Sequence, residues 1–111
     1  MDKLQDYRKI IVNLLQEQAH PYSFSDDVDT EIICDLEHDH YQLTYIGWDQ
    51  EERIFSLILH LDIKDGKIWI QHNGTELSIA KILTEQGVPA SDIVIGFHSP
   101  FKRQFSGYAL N

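Results

Sequence analysis

His60 and Asp62 stand two residues apart in His60-Leu61-Asp62, a spacing that puts both side chains on one face of a strand. Such a pair can serve as a base and its orienting carboxylate, or as two metal ligands. Gln71 and Trp69 are expected opposite them across a hairpin. No third ligand or nucleophile stands at a spacing that completes the set, so the pair reads as part of a polar, less buried sheet face, with Asp62 bonded locally. A small metal-dependent hydrolase using His60 and Asp62, joined by His72 or His98, is the chemical alternative. His38 and His40 flank Asp39, close to Asp35 and Glu37. These residues suit a divalent ion, yet a solvated turn accounts for the same types. His72 is expected at the edge of the core face as a structural histidine, and His98 as a cap or packing residue at the start of the C-terminal tail. Asn73-Gly74-Thr75-Glu76 would open a helix, where anions can bind, but the Gly-rich loop and Lys of a phosphate-binding loop are missing and helix capping is the simpler account. Cys34 is expected to face the core as a small hydrophobe. No catalytic residue, cofactor or metal is expected on this reading, and the chain reads as a non-enzyme.

The elements that must position these residues follow from periodicity. Leu4, Tyr7, Ile11, Leu14 and Leu15 recur at helical spacing, predicting an amphipathic helix over 3–18 that His20-Pro21 stops. Alternation then predicts strands at 30–36, 41–48 and 53–64. The last carries Phe55, Leu57, Leu59, Leu61 and Ile63 on one face and is the central strand. Asp65-Gly66 predicts a type I′ hairpin turn. Its register sets Ile63 opposite Ile68, Leu61 opposite Ile70 and Leu59 opposite His72 on the core face. Asp62 then faces Trp69, and His60 faces Gln71, on the other face. A second helix is expected from Thr75, ended by Gly87 with Pro89 beyond. Ile93 to Phe97 reads as a fifth strand. Phe101, Phe105 and Tyr108 suggest an ordered tail packed on the rest. The fold class is therefore α+β in one domain, 1–111: an N-terminal helix, an antiparallel meander of four to five strands, a second helix packed on the sheet, and an ordered tail. The helices should cover the face of Leu57, Leu59, Leu61, Ile68 and Ile70. Trp48 and Trp69 fall on the other face with Ile46, Ile54 and Ile58. That much apolar surface calls for cover by the tail, by the first helix, or by another chain as in a homodimer.

The charge pattern limits the function further. Eighteen acids against nine bases over 111 residues leave a net charge of −9. No Lys or Arg stands between Lys9 and Arg53, a stretch with eleven acids, and beyond Asp92 the charges are Lys102-Arg103 alone. Clustered cations neutralise phosphates in nucleic-acid binders, so neither direct nucleic-acid binding nor anchoring on anionic membrane is expected. Two adjacent cations in the tail are few for a DNA site. No apolar run approaches the roughly 20 residues of a membrane span, and the polar start is unlike a secretory signal. One cysteine suits a reducing cytoplasm.

Several segments together carry a family resemblance: Tyr7-Arg8-Lys9-Ile10, Tyr45-Ile46-Gly47-Trp48, His60 through Gln71, Asn73-Gly74-Thr75-Glu76, Gly87-Val88-Pro89, Asp92-Ile93-Val94 and Gly96-Phe97-His98. In this order and spacing the chain resembles the XisI family of cyanobacterial proteins over almost its whole length. XisI-like proteins are named as fdxN element excision controlling factors, after the removal of a DNA element during heterocyst differentiation. The resemblance implies an accessory, regulatory protein acting through a XisH-like partner and, in the same assembly, a site-specific recombinase. Antitoxin-like restraint of a nuclease-like XisH partner is the alternative. The family brings no catalytic residues to carry over. Trp48, His60, Asp62, Trp69, Gln71, His98, Lys102 and Arg103 are the expected interaction or functional surface, and the acidic stretch 10–52 is the expected contact for a basic partner.

Overall fold

The computed structural model describes residues 2–111. Helix α1 spans Lys3–Gln18, capped by the Asp2 carboxylate, which accepts from the Leu4 N–H at 2.9 Å. Its Tyr7, Ile11, Leu14 and Leu15 are buried, the stripe that the spacing predicts. Five strands follow, β1 (Val28–Asp35), β2 (His40–Asp49), β3 (Glu52–Lys64), β4 (Lys67–Asn73) and β5 (Ile93–Ile95), with the helix α2 (Ile79–Glu85) between β4 and β5. They form one sheet in sequential order, antiparallel from β1 to β4 and closed at one edge by β5 running parallel to β4. The expected α+β architecture is present, and the sheet is mixed because the α2 crossover returns the chain in the direction of β4.

The Asp65-Gly66 turn has both residues at positive φ, 54° and 76°, as a type I′ turn requires. It sets Ile63 opposite Ile68, Leu61 opposite Ile70 and Asp62 opposite Trp69. Beyond that the register slips by one residue. Gln71 bulges out of β4, so His60 pairs with His72 and Leu59 with Asn73, instead of with Gln71 and His72 as expected. His72 is accordingly exposed and takes no place in the core.

A second bulge, at Ile58, lies where β3 meets β2: Leu43 pairs with Leu59, but Thr44 pairs with Leu57. Because strand side chains alternate with a period of two, this exchanges the faces of the first half of β3. Leu59, Leu61, Ile68 and Ile70 are buried under the helices as expected. Leu57 is 38% exposed and Phe55 72%, contrary to expectation, while Ile54 is buried in a row with Val28 and Gly47. Ile58 packs partly against the core. Cys34 shares the helix-covered face by register with Tyr41, yet it stands on the edge strand and is exposed, not buried. Gly47 is required by a close approach, since a Cβ there would collide with the Asp27 carbonyl, which accepts from the Trp48 N–H at 3.1 Å.

The second helix starts later than its sequence suggests. Asn73 Oδ1 accepts from the Thr75 N–H at 2.9 Å and from its hydroxyl at 2.6 Å, and the Asn73 amide donates to the Leu77 carbonyl at 2.8 Å. These local bonds hold 74–77 as a loop, and Ser78 caps α2 in place of Thr75. Gly87, at φ 100°, ends that segment as predicted. The tail forms a short helix, α3 (Pro100–Arg103), and returns along β5, where the Ala109 N–H donates to the Ile93 carbonyl at 2.8 Å. The tail is ordered, but of its aromatics Tyr108 alone packs on the core. Phe101 and Phe105 are 67% and 74% exposed and meet each other edge-on, 5.5 Å between centroids.

Two carboxylates fasten α1 to the sheet. Asp39 accepts from Arg8 at 2.8 and 3.1 Å and from the Tyr41 hydroxyl at 2.8 Å. Asp92 accepts from the Tyr7 hydroxyl and from Lys3 Nζ at 3.2 Å. The Arg8 hydrogen bonds hold Asp39 below the ordinary carboxylate range, and the Tyr7 hydroxyl does the same for Asp92. Asp92 thus ionises more readily in the folded chain than in the unfolded one. Its stabilisation is present above the unfolded carboxylate pKa of about 3.9 and is lost as pH falls through the lower folded value. Tyr7→Phe removes the hydroxyl donor, so chemical denaturation at pH 7 should show a loss of about 1–3 kcal/mol. The same variant should lose less further stability than the parent between pH 5 and pH 3.

Candidate functional site

The sheet face turned away from α1 can be read from the register in rows. Asp29, Ile46 and Phe55 form one; Glu31, Thr44 and Leu57 the next; then Ile33, Gln42, His60 and His72; then Asp35, His40, Asp62, Trp69 and Val94. Ile33, Leu57, Phe55 and Trp48 are exposed on this face. It is an apolar surface with an acidic border from β1, and it lies open over β1 to β3.

The polar end of this face is a hydrogen-bonded cluster. His40 and Asp62 are direct register partners, and His60 lies two residues from Asp62 on the same strand face. His40 Nδ1 and His60 Nε2 each lie 2.9 Å from the same oxygen, Asp62 Oδ1. The Gln71 amide donates to Asp62 Oδ2 at 3.2 Å, and the Gln42 amide lies 3.3 Å from His60 Nδ1. Burial pushes the Asp62 carboxyl up, but the hydrogen bonds from His40, His60 and Gln71 outweigh it and hold the group below the usual range. The bond to Asp62 raises His40 in turn. His60, Asp62 and Gln71 are thus brought together as the spacing suggests, with Gln71 reaching Asp62 from its bulge. The member that the spacing does not supply is His40. The sequence places it in a turn beside His38, and only pairing of β2 with β3 carries it to Asp62. His38 itself bonds to Asp35 at 2.9 Å.

The remaining residues of the expected surface are dispersed. His98 follows β5 in the chain and meets its neighbour Phe97 edge-on, 4.8 Å between ring centroids. Trp48 is 49% exposed with the Arg53 guanidinium 5.4 Å from its ring. Trp69 is covered from within the chain, by Lys64 at 4.9 Å and Arg103 at 5.1 Å from its ring centroid. Its indole N–H is buried with no hydrogen-bond partner among the described residues. Lys102 and Arg103 part company. Lys102 is exposed, whereas Arg103 is half-buried and donates to the carbonyls of Ile95 at 3.3 Å, Gly96 at 3.4 Å and Leu110 at 3.4 Å. Arg103 is a fastening between tail, β5 and Trp69, which leaves Lys102 as the one free cation of that pair.

The chain matches the model of the XisI protein family over residues 1–110. It belongs to the XisI family. A XisI-like protein from Anabaena variabilis is 40% identical, with a TM-score of 0.91 over 97% of this chain and 99% of that one. The structure of the fdxN element excision controlling factor XisI from the same organism is 36% identical, with a TM-score of 0.86 over 99% of this chain and 100% of that one. No curated protein matches. In this XisI-family chain no helix among the described residues is long and apolar enough to cross a membrane.

Arg103 ties the tail to β5 and to Trp69. Arg103→Ala should lower stability by about 1–3 kcal/mol, through loss of the Trp69 stack and the carbonyl bonds. Tryptophan emission should shift to longer wavelength as Trp69 is uncovered, and amide exchange at Ala109 should accelerate. Arg103→Lys should recover little, because an ammonium lacks the planar fork.

Proposed function

We propose that this chain is an accessory, regulatory protein of programmed DNA-element excision that works by binding a protein of the excision machinery rather than by catalysis. The likeness to the protein described as the fdxN element excision controlling factor XisI carries this reading. A XisH-like protein is the first partner, with a site-specific recombinase as a further member of the assembly, in the cytoplasm. The charge of the chain supports contact with a protein in preference to DNA. The net charge is −9, and of the Lys102-Arg103 pair the arginine is committed to Trp69 and the tail carbonyls.

The open sheet face is the docking surface that fits such a partner. Ile33, Phe55, Leu57 and Trp48 offer exposed apolar area of the kind that interfaces bury, and Asp29 and Glu31 border it. A partner with basic side chains around an apolar patch would complement it, with charge steering the encounter and burial holding the complex.

Calorimetric titration of a purified XisH-like protein with this chain tests the reading. A saturable complex is expected, weakened by added salt and weakened at least about tenfold, or 1.4 kcal/mol, by Phe55→Glu combined with Leu57→Glu. No complex, a complex indifferent to these substitutions, or a face engaged only in self-association by sedimentation would overturn it. Assay of the partner's action on DNA with and without the chain then separates activation from antitoxin-like restraint.

A further inference from the structure

Three donor atoms of the kind that bind first-row metals converge where β2 pairs with β3. His40 Nδ1, His60 Nε2 and a carboxylate oxygen of Asp62 all lie within 4.8 Å of one another. A tetrahedral ion with bonds of about 2.0–2.1 Å separates its ligand atoms by about 3.3–3.4 Å. The 2.9 Å distances from each histidine nitrogen to Asp62 Oδ1 therefore need to open by only about half an ångström to admit an ion of that size. The backbones are held by the ladder, because His40 and Asp62 are paired residues and His60 is two positions away on the same face.

The surroundings resemble those of a metal site. Ligating side chains are oriented by outer partners, and here two of the three, Asp62 and His60, have one. Gln71 holds the second oxygen of Asp62, and Gln42 lies against the second nitrogen of His60. Gln71 reaches Asp62 because it is the bulged residue of β4, outside the regular pairing. Asp62 and His60 are mostly buried, with side chains 17% and 25% exposed, whereas His40 is 58% exposed, so a further coordination position opens to solvent.

We propose that His40, His60 and Asp62 form a binding site for a divalent first-row transition-metal ion, with Zn²⁺ the best fit. Two imidazoles and one carboxylate suit such ions, whereas Mg²⁺ and Ca²⁺ prefer oxygen alone. On binding, the two His–Asp hydrogen bonds give way to three metal bonds, and both rings are neutral. His60 then keeps its proton on Nδ1, so the Gln42 amide turns its oxygen toward the ring to accept it. The site stands beside the apolar docking face but is independent of it.

The test uses the full chain, stripped of metal with a chelator and titrated with Zn²⁺ by calorimetry, and with Co²⁺ by visible absorption. One ion per chain is expected, with a Co²⁺ spectrum showing nitrogen and oxygen ligands in a site of low coordination number. His40→Gln and His60→Gln should each weaken binding at least about tenfold, in line with the loss of a ligand. His40 is exposed, so its replacement leaves the fold intact, and circular dichroism of each variant confirms that. His38→Gln, which alters the neighbouring His38–Asp35 pair, should bind as the parent does. Absence of saturable binding, binding that survives His40→Gln in the folded chain, or binding abolished by His38→Gln would overturn the assignment.

Discussion

The register of β3 governs the rest of the molecule. A strand that paired without interruption on both sides would turn Phe55, Leu57, Leu59, Leu61 and Ile63 to a single face. The extra residue at Ile58 breaks that pattern against β2. Leu59, Leu61 and Ile63 go under the helices, and Phe55 and Leu57 emerge on the opposite side. The core is therefore built from one half of the strand and the open face from the other. The other bulge, at Gln71, does the equivalent for β4, moving its polar side chain to Asp62 and leaving His72 exposed. Bulges commonly re-aim side chains at functional sites, and here both border the surface that carries the exposed apolar residues and the histidine cluster.

On the covered face, burial and charge act together. Ile11 and Leu15 of α1 are fully buried, and the apolar contact supplies most of the attachment. Direction comes from the two carboxylates. Asp39 joins Arg8 and Tyr41, and Asp92 joins Tyr7 and Lys3, so neighbouring residues of α1 are tied to two separate acids. A strongly acidic chain thus commits some of its few cations to partners within itself. Arg8, Lys3 and Arg103 all have partners within the chain, which makes the solvent-facing charge still more one-sided than the composition implies.

That distribution bears on function. On the proposed reading, the acidic, partly apolar sheet face of this XisI-family chain suits contact with a protein surface. The His–Asp–His cluster adds a chemically distinct patch to the same face. Its inner residues are satisfied by hydrogen bonds without any ion, which explains how the face can persist in the free chain.

Much of the architecture follows from local pattern. The apolar spacing of 4–15 determines α1, because a helix returns every third or fourth residue to one face. Asp65-Gly66 determines the β3–β4 hairpin, because only a few residue types accept positive φ at both positions. Gly87 marks the end of the second helical segment for the same reason. The start of α2 escapes local pattern because Asn73 accepts from the Thr75 N–H and hydroxyl and donates to the Leu77 carbonyl, which holds that stretch as a loop. Tertiary structure alone decided which half of β3 is buried, that Cys34 is exposed at an edge, and that His40 joins His60 and Asp62. A bulge shows no periodic signal, since it is the one residue at which periodicity fails. Neither edge position nor cross-strand partners are properties of a segment. They exist only once strands distant in sequence have chosen their register.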